Sequence, residues 1–178
     1  MYRKVVIGLL AFTLFNSSDV FLLLKAKESG ASDTLIIGIY ILYNLIYATF
    51  AFPLRTLADR IGLKKMLISG IGIFAIVYFG IGFNHNIYFF IGLFALYGIY
   101  AAATEGVSKA WISNITEKKD TATAIGTYSA FQSVGTMLAS SMAGLIWYQF
   151  GSTATFIVTG TASVLILFYF ANMTHEKK

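Results

Sequence analysis

The chain has 178 residues, of which 57% are hydrophobic and only 12% are charged, and its mean hydropathy is +0.73. These values exclude an ordinary water-soluble domain, because most of the surface of such a chain must face lipid. The net charge of +5 raises the alternative of a nucleic-acid-binding protein. The basic residues fall between hydrophobic stretches and form no single stripe, so nucleic acid is not expected as a partner.

Six hydrophobic stretches divide the sequence. About 20 apolar helical residues cross the roughly 30 Å hydrocarbon core of a bilayer. We therefore predict an all-α fold, a polytopic membrane helix bundle of six transmembrane helices that forms a single domain over residues 1–178. The predicted spans are 5–24, 34–54, 66–84, 87–112, 122–149 and 152–172.

The first stretch has a basic start and an apolar centre, as a signal peptide does. No small-x-small cleavage site follows, and the apolar run resumes after the polar residues 16–19, so we predict one full-length span. Asp19 lies inside that span, where a charge costs on the order of 3 kcal/mol. With Asn16 on the same face, it could bind a polar substrate, relay a proton or latch an outer gate. Alternatively, Asp19 reaches the outer interface or caps a kinked helix.

The second predicted span carries a polar face formed by Tyr40, Tyr43, Asn44 and Tyr47 at helical spacing. Such a face is expected to avoid lipid. It either bonds to another helix or lines a substrate pathway, for which Tyr40 and Asn44 are candidates.

The joint after the second span, 53–65, reads Pro-Leu-Arg-Thr-Leu-Ala-Asp-Arg-Ile-Gly-Leu-Lys-Lys. It resembles the cytoplasmic signature Gly-x-Leu-Ala-Asp-Arg-x-Gly-Arg-Lys of the major facilitator superfamily of secondary transporters. Arg55 and Leu63 depart from that pattern, and an ordinary basic loop is the alternative interpretation. The positions that match, six of eight, are Leu57, Ala58, Asp59, Arg60, Gly62 and Lys64.

The resemblance implies a conformational signature loop of Asp59, Arg60, Gly62 and Lys64. Asp59 could accept hydrogen bonds from a partner helix N-terminus, and Gly62 permits a tight reversal into the third span. We also expect Pro53 to mark the end of the second span.

The fourth and fifth spans carry small residues at every fourth position, in 98–106 and 135–143, which predicts close packing against protein. Glu105 and Lys109 are spaced i, i+4, and we predict a structural or gating ion pair, with a proton-coupling Glu105 as the alternative. Gln132 lies near mid-depth one turn from Tyr128, so it either lines a cavity or bonds to another helix.

Further likeness to the same family covers 104–111, 124–128 and 140–147, similar to its tenth and eleventh helices, and 16–19, similar to its seventh. The chain thus resembles the C-terminal six-helix half, helices seven to twelve, which implies two inverted three-helix repeats. In the family, two halves alternate access to a central cavity. The resemblance implies transport of a small-molecule solute, alone or with a coupling ion, and a homodimer or a second six-helix half as partner.

The basic residues predict the orientation. Only Lys25 and Lys27 fall on one side, which predicts that both termini are cytoplasmic in an integral membrane protein of the bacterial-type plasma membrane. The other side holds ten: Arg3, Lys4, Arg55, Arg60, Lys64, Lys65, Lys118, Lys119, Lys177 and Lys178.

An enzyme is not expected. The chain lacks cysteine, and its histidines, His85 and His175, read as solvated joint and tail residues. No catalytic or metal-binding motif occurs, so no cofactor or metal is predicted. The alternative to a transporter is a nontransporting membrane subunit or a truncated transporter fragment, because half of a rocking unit cannot alternate alone.

Overall fold

The computed structural model describes residues 2–84 and 86–173. The predictions made above for His85, His175, Lys177 and Lys178 lie outside the described residues. Within those ranges all regular structure is helical, which confirms the predicted all-α class. The helices are α1 (Tyr2–Thr13), α2 (Val20–Glu28), α3 (Asp33–Ile61), α4 (Leu63–Phe83), α5 (Ile87–Ile115) and α6 (Thr121–Asn172).

The chain crosses the bundle six times. α1 and α2 together make the first crossing, and α6 makes two, because Gly151 has a non-helical φ of 85° that divides it into a first arm (121–150) and a second arm (152–172). α3, α4, α5 and α6 are each long and apolar enough to cross a membrane. We call the end that holds the α3–α4 and α5–α6 joints the basic end.

The first crossing, predicted at 5–24, is not a single helix, because the helix is interrupted at 14–19. α1 closes with tight turns, in which the amides of Phe15 and Asn16 donate to the carbonyls of Phe12 and Thr13 over 3.0 and 3.1 Å. The interruption has a local cause, since Asn, Ser and Asp side chains compete with the helix for backbone hydrogen bonds. The Ser18 hydroxyl, for example, accepts from the amide of Val20 at 3.4 Å.

The predicted joint at 53–65 is also shorter than expected. α3 continues through Pro53 to Ile61, and α4 begins at Leu63, so most of the signature string is helical and Pro53 is inside a helix. The chain reverses at Gly62, whose φ of 94° favours glycine. The string remains helical because Leu and Ala favour helices and because Ala58 is buried in the core.

Lys64 joins this reversal to the end of α6. Its Nζ donates to the backbone carbonyls of Ala171 at 3.2 Å and Met173 at 2.6 Å. These carbonyls lie at a helix C-terminus, where a cation is favourable. The basic end is thereby held together across two distant parts of the sequence.

A ladder of aromatic rings fills the centre of the bundle. Phe12 of α1 packs on Phe74 of α4 at 5.1 Å between ring centroids, Phe74 stacks on Tyr78 at 4.0 Å, and Tyr78 contacts Phe156 of the second arm at 5.4 Å. Offset and edge-to-face pairs of this kind add to the burial of apolar area. Most of the buried side chains belong to α4, α5 and α6, which form the core. By contrast, α3 buries only Ile39 and Ala58.

Two of the predicted small residues are at close helix contacts. A Cβ on Gly98 would lie 2.9 Å from the backbone oxygen of Tyr43 in α3, and a Cβ on Gly135 would lie 3.0 Å from the Thr13 side chain. Gly106 has open space around its Cβ direction. The close packing predicted from the repeated small residues is thus confirmed at Gly98 and Gly135 and is wrong at Gly106.

We predict that Gly98→Val destabilises the protein by about 1 to 3 kcal/mol, because the new side chain meets backbone that cannot move aside. Gly92→Val is the matched control, since Gly92 is on the same helix with no atom within 4 Å of its Cβ position. Thermal unfolding in detergent measures both. Equal loss of stability in the two variants would contradict the predicted contact between α3 and α5.

Candidate functional site

A central cavity of about 240 Å³ lies where the interruption between α1 and α2 faces α3, α5 and the first arm of α6. Four of the predicted pathway residues line it: Asn16, Asp19, Glu105 and Gln132. The sequence placed these residues on three different spans. The rest of the lining consists of Leu9, Phe12, Thr13, Tyr43, Leu67, Tyr97, Tyr100, Ala101, Thr104, Ser108 and Tyr128.

The other two predicted pathway residues, Tyr40 and Asn44, are not part of this lining. Both are exposed on α3. The Asn44 side chain donates to the carbonyl of Tyr40 at 2.8 Å within its own helix. The Tyr40 ring packs beside that of Tyr43, with 5.9 Å between centroids. The polar face of α3 therefore only partly enters the cavity.

Asp19 is half-buried at the interruption. Its backbone carbonyl accepts from the amides of Leu22 and Leu23, which starts α2, but its carboxylate caps no backbone amide. Instead, Oδ1 accepts a hydrogen bond from the hydroxyl of Tyr97 at 2.6 Å. Tyr43 lines the same cavity as this carboxylate. The interruption thus directs the acidic side chain into the cavity.

Asn16 has a second tyrosine partner. Its Nδ2 donates to the hydroxyl of Tyr100 at 3.0 Å, and the Tyr97 and Tyr100 rings lie 5.2 Å apart on one face of α5. Sequence reasoning missed both tyrosines, because they occur within an aromatic and apolar run that has no evident polar face. Their spacing of three residues, continued by Thr104, was the available signal.

Glu105 lies at the boundary between two cavities. It lines the central cavity and also a groove of about 580 Å³ that includes Arg55 and Asp59 near the basic end. The hydroxyl of Tyr47 lies beside its carboxylate. Glu105 is therefore positioned between the centre of the bundle and the end that carries the signature string, of which Arg60 is exposed at the end of α3.

The predicted ion pair between Glu105 and Lys109 is not formed. Within the described part of the chain, the ion pairs are Lys25–Glu28, Lys27–Asp33 and Lys119–Glu117. Lys109 instead lines a surface groove of α6 together with Gln132 and hydroxyl side chains. An i, i+4 pair stabilises a helix by only a few tenths of a kcal/mol, so this spacing does not enforce contact.

A buried lysine was missed by the sequence analysis, which placed it in a solvated joint. Lys25 is only 1% exposed, and its Nζ donates to the hydroxyl of Ser152 at 2.8 Å. The carboxylate of Glu28, at 3.6 Å, partly compensates the charge. Lys25 thereby attaches α2 to the start of the second arm of α6, at the end opposite the basic end.

The cavity offers carboxylates, amides and hydroxyls, which suit proton exchange or hydrogen bonding to a polar solute. No lysine, arginine or histidine is among its lining residues. Across residues 2–84 and 86–173, no group of three or more acidic or histidine side chains could hold a metal ion.

We predict that Tyr97→Phe destabilises the protein by about 1 to 3 kcal/mol, because Asp19 loses its hydroxyl donor while staying partly buried. Tyr88→Phe is the control, since Tyr88 is 80% exposed. Thermal unfolding in nanodiscs compares the two. If both variants unfold at the temperature of the unmodified protein, the Tyr97 hydroxyl does not stabilise Asp19.

Comparison with known proteins identifies relatives. The chain is 36% identical over 142 residues to an uncharacterized MFS-type transporter of Methanocaldococcus jannaschii, covering 76% of this chain and 36% of that protein. It is 31% identical over 127 residues to the multidrug resistance protein Stp of Mycobacterium tuberculosis, covering 71% of this chain and 24% of that protein. The chain therefore spans well under two thirds of the length of these relatives.

The family itself is identified over nearly the whole chain. A sequence model described as Major Facilitator Superfamily matches residues 5–178. This agrees with the likeness of 53–65 to the family signature and with an integral membrane bundle of apolar helices. The chain belongs to the major facilitator superfamily.

Proposed function

We propose that this chain is one six-helix half of an alternating-access secondary transporter for a small solute, and that the central cavity is its share of the solute pathway. The observation that carries this proposal is the cavity itself, in which Asn16, Asp19, Glu105 and Gln132 meet beside an interrupted helix. Interrupted helices at mid-membrane are characteristic of solute and ion sites in transporters. Family membership supports the same activity.

A second half is the partner that the exposed faces require. α3 and the first arm of α6 expose large apolar side chains, such as Phe52 at 79% and Met137 at 62%. Beside the apolar side chains of α6 lies a polar groove with Lys109, Ser129 and Ser133. The Ser133 hydroxyl donates to the carbonyl of Ser129 within α6, whereas lipid offers no partner to the Lys109 ammonium, so protein is the favourable cover. The second half is either another copy of this chain, forming a homodimer, or a separate six-helix unit.

A coupling ion is part of the proposal. Glu105 borders both the central cavity and the groove toward the basic end, and Asp19 lies at the interruption. Carboxylates within a bundle commonly relay protons. Movement of a proton through Glu105 and Asp19 would couple the two ends of the pathway.

The rival function is a nontransporting membrane subunit or a fragment of a longer transporter. One observation favours it, namely that the chain spans well under two thirds of the length of the relatives it matches. A fragment without a partner would leave α3 and the first arm of α6 facing lipid. A measurement of whether the chain assembles with a second half therefore distinguishes the transporter half from the nontransporting subunit or fragment.

We predict that Asn44→Cys crosslinks this chain to its second half in nanodiscs, because Asn44 is on the exposed face of α3. Native cysteines cannot interfere, since the sequence has none. Ile76→Cys is the control, because it is 62% exposed on α4, which the proposal leaves in lipid. A stable monomer with no crosslink at Asn44, or equal crosslinking at both positions, would count against the transporter half and favour the fragment.

The proposed orientation places both termini and the basic end in the cytoplasm of a bacterial-type cell, with the bundle in the plasma membrane. We predict that Lys118→Cys is protected from an impermeant thiol reagent added to intact cells. Thr34→Cys, which is exposed at the opposite end, is expected to react. Mass spectrometry of the labelled protein measures both, and the reverse pattern would show that the orientation is inverted.

A further inference from the structure

The lining of the central cavity carries negative charge without a basic counterpart. Asp19 and Glu105 both line it, and no lysine or arginine does. Neither carboxylate takes part in the ion pairs found within the described residues. Low-dielectric walls focus such charge into a negative potential. Asp19 is half-buried, and leaving its charge without a cationic partner inside a membrane protein is costly. A cationic occupant would offset that cost.

Aromatic rings make up another large part of the lining. The rings of Tyr43 and Tyr97 lie 5.4 Å apart and tilted by 32°, and Tyr97 and Tyr100 lie 5.2 Å apart and tilted by 37°. Phe12 and Tyr128 add two further rings. The faces of aromatic rings attract cations, and aromatic cages recognise quaternary ammonium groups in particular.

Tyr43 brings the two features together. It lines the cavity together with Asp19 and Glu105, and its ring lies 5.4 Å from the ring of Tyr97, whose hydroxyl donates to Asp19. A cation next to the Tyr43 ring would therefore contact an aromatic ring within a cavity that two carboxylates line. Lys109, the nearest basic residue along the helix to Glu105, is not among the residues that line this cavity; it lines the adjoining groove on α6, with which the cavity shares Gln132.

We propose that the central cavity binds a small organic cation with an alkylated ammonium head group, which makes this class the transported solute. That the cation is the transported solute rests on the proposed function, whereas the proposal that the cavity binds a cation depends only on the residues that line it. An organic cation suits the lining better than a metal ion, since its alkyl groups can contact the rings. Within the described residues, no group of three or more acidic or histidine side chains could hold a metal ion. The volume of about 240 Å³ accommodates a compact head group.

The first test compares choline with 3,3-dimethyl-1-butanol, its uncharged isostere, by calorimetric titration of the purified protein in nanodiscs. The two probes share shape and hydroxyl group and differ in charge. We expect choline to bind at least about tenfold more tightly, because both carboxylates favour only the cation. Equal affinity, or no binding of choline, would overturn the proposal without the need for any variant.

The second test assigns the binding to this cavity. Asp19→Asn and Glu105→Gln should each weaken choline binding on the order of tenfold and leave the isostere unaffected, because they remove charge at constant shape. Glu117→Gln is the control, since that carboxylate is 73% exposed and outside the lining. Unchanged choline affinity in both cavity variants would overturn the site.

The third test concerns the Tyr43 ring. Tyr43→Phe keeps the ring face and should retain choline binding, whereas Tyr43→Leu should lose about threefold to thirtyfold in affinity. Equal affinities in the two variants would contradict the contribution of the ring. The assembly assay at Asn44 gives an independent result. If choline binds but no second half is found, the binding site is supported and the transporter function is refuted. If a second half is found but choline does not bind, the transporter function is supported and the binding site is refuted.

Discussion

The interruption of the first crossing at 14–19 is the constraint around which the rest of the bundle is arranged. In a membrane, backbone and side-chain polar groups that leave a helix need partners within the protein, because lipid supplies none. The amide of Ser18 donates to the Ser140 hydroxyl at 3.2 Å, and the side chains of Asn16 and Asp19 bond to Tyr100 and Tyr97. α5 and the first arm of α6 must therefore stay in register with the break. The same partners surround the central cavity.

The two ends of the bundle are secured by lysines with different roles. Lys64 donates to the last carbonyls of α6 at the basic end, and the buried Lys25 donates to Ser152 where the second arm begins. Each bond connects segments that are more than a hundred residues apart in the sequence. Between these ends, the aromatic ladder from Phe12 to Phe156 keeps α1, α4 and α6 packed. The interrupted first crossing is packed against α4 through Phe12, while α3 buries only Ile39 and Ala58.

Sequence patterns predicted the cavity lining best for residue types that are rarely tolerated in contact with lipid. Acidic and amide side chains in apolar stretches avoid lipid, so Asn16, Asp19, Glu105 and Gln132 could be selected, and all four line the cavity. The same reasoning selected Tyr40 and Asn44, which lie on an exposed face. Helical periodicity shows that residues share a face, but it does not show what that face contacts. In the same way, the i, i+4 spacing of Glu105 and Lys109 could not show whether the two side chains form an ion pair or line different grooves, as they do.

The sequence by itself determined the membrane class, the number of apolar stretches, the reversals at Gly62 and Gly151, and the resemblance that the family match confirms. These depend on composition and on local backbone preference, which neighbouring residues set. Only the tertiary structure decided that Lys25 is buried and that Tyr97 and Tyr100 hold Asp19 and Asn16. Each depends on a partner from a distant helix, since helix packing determines which polar groups meet in the absence of water.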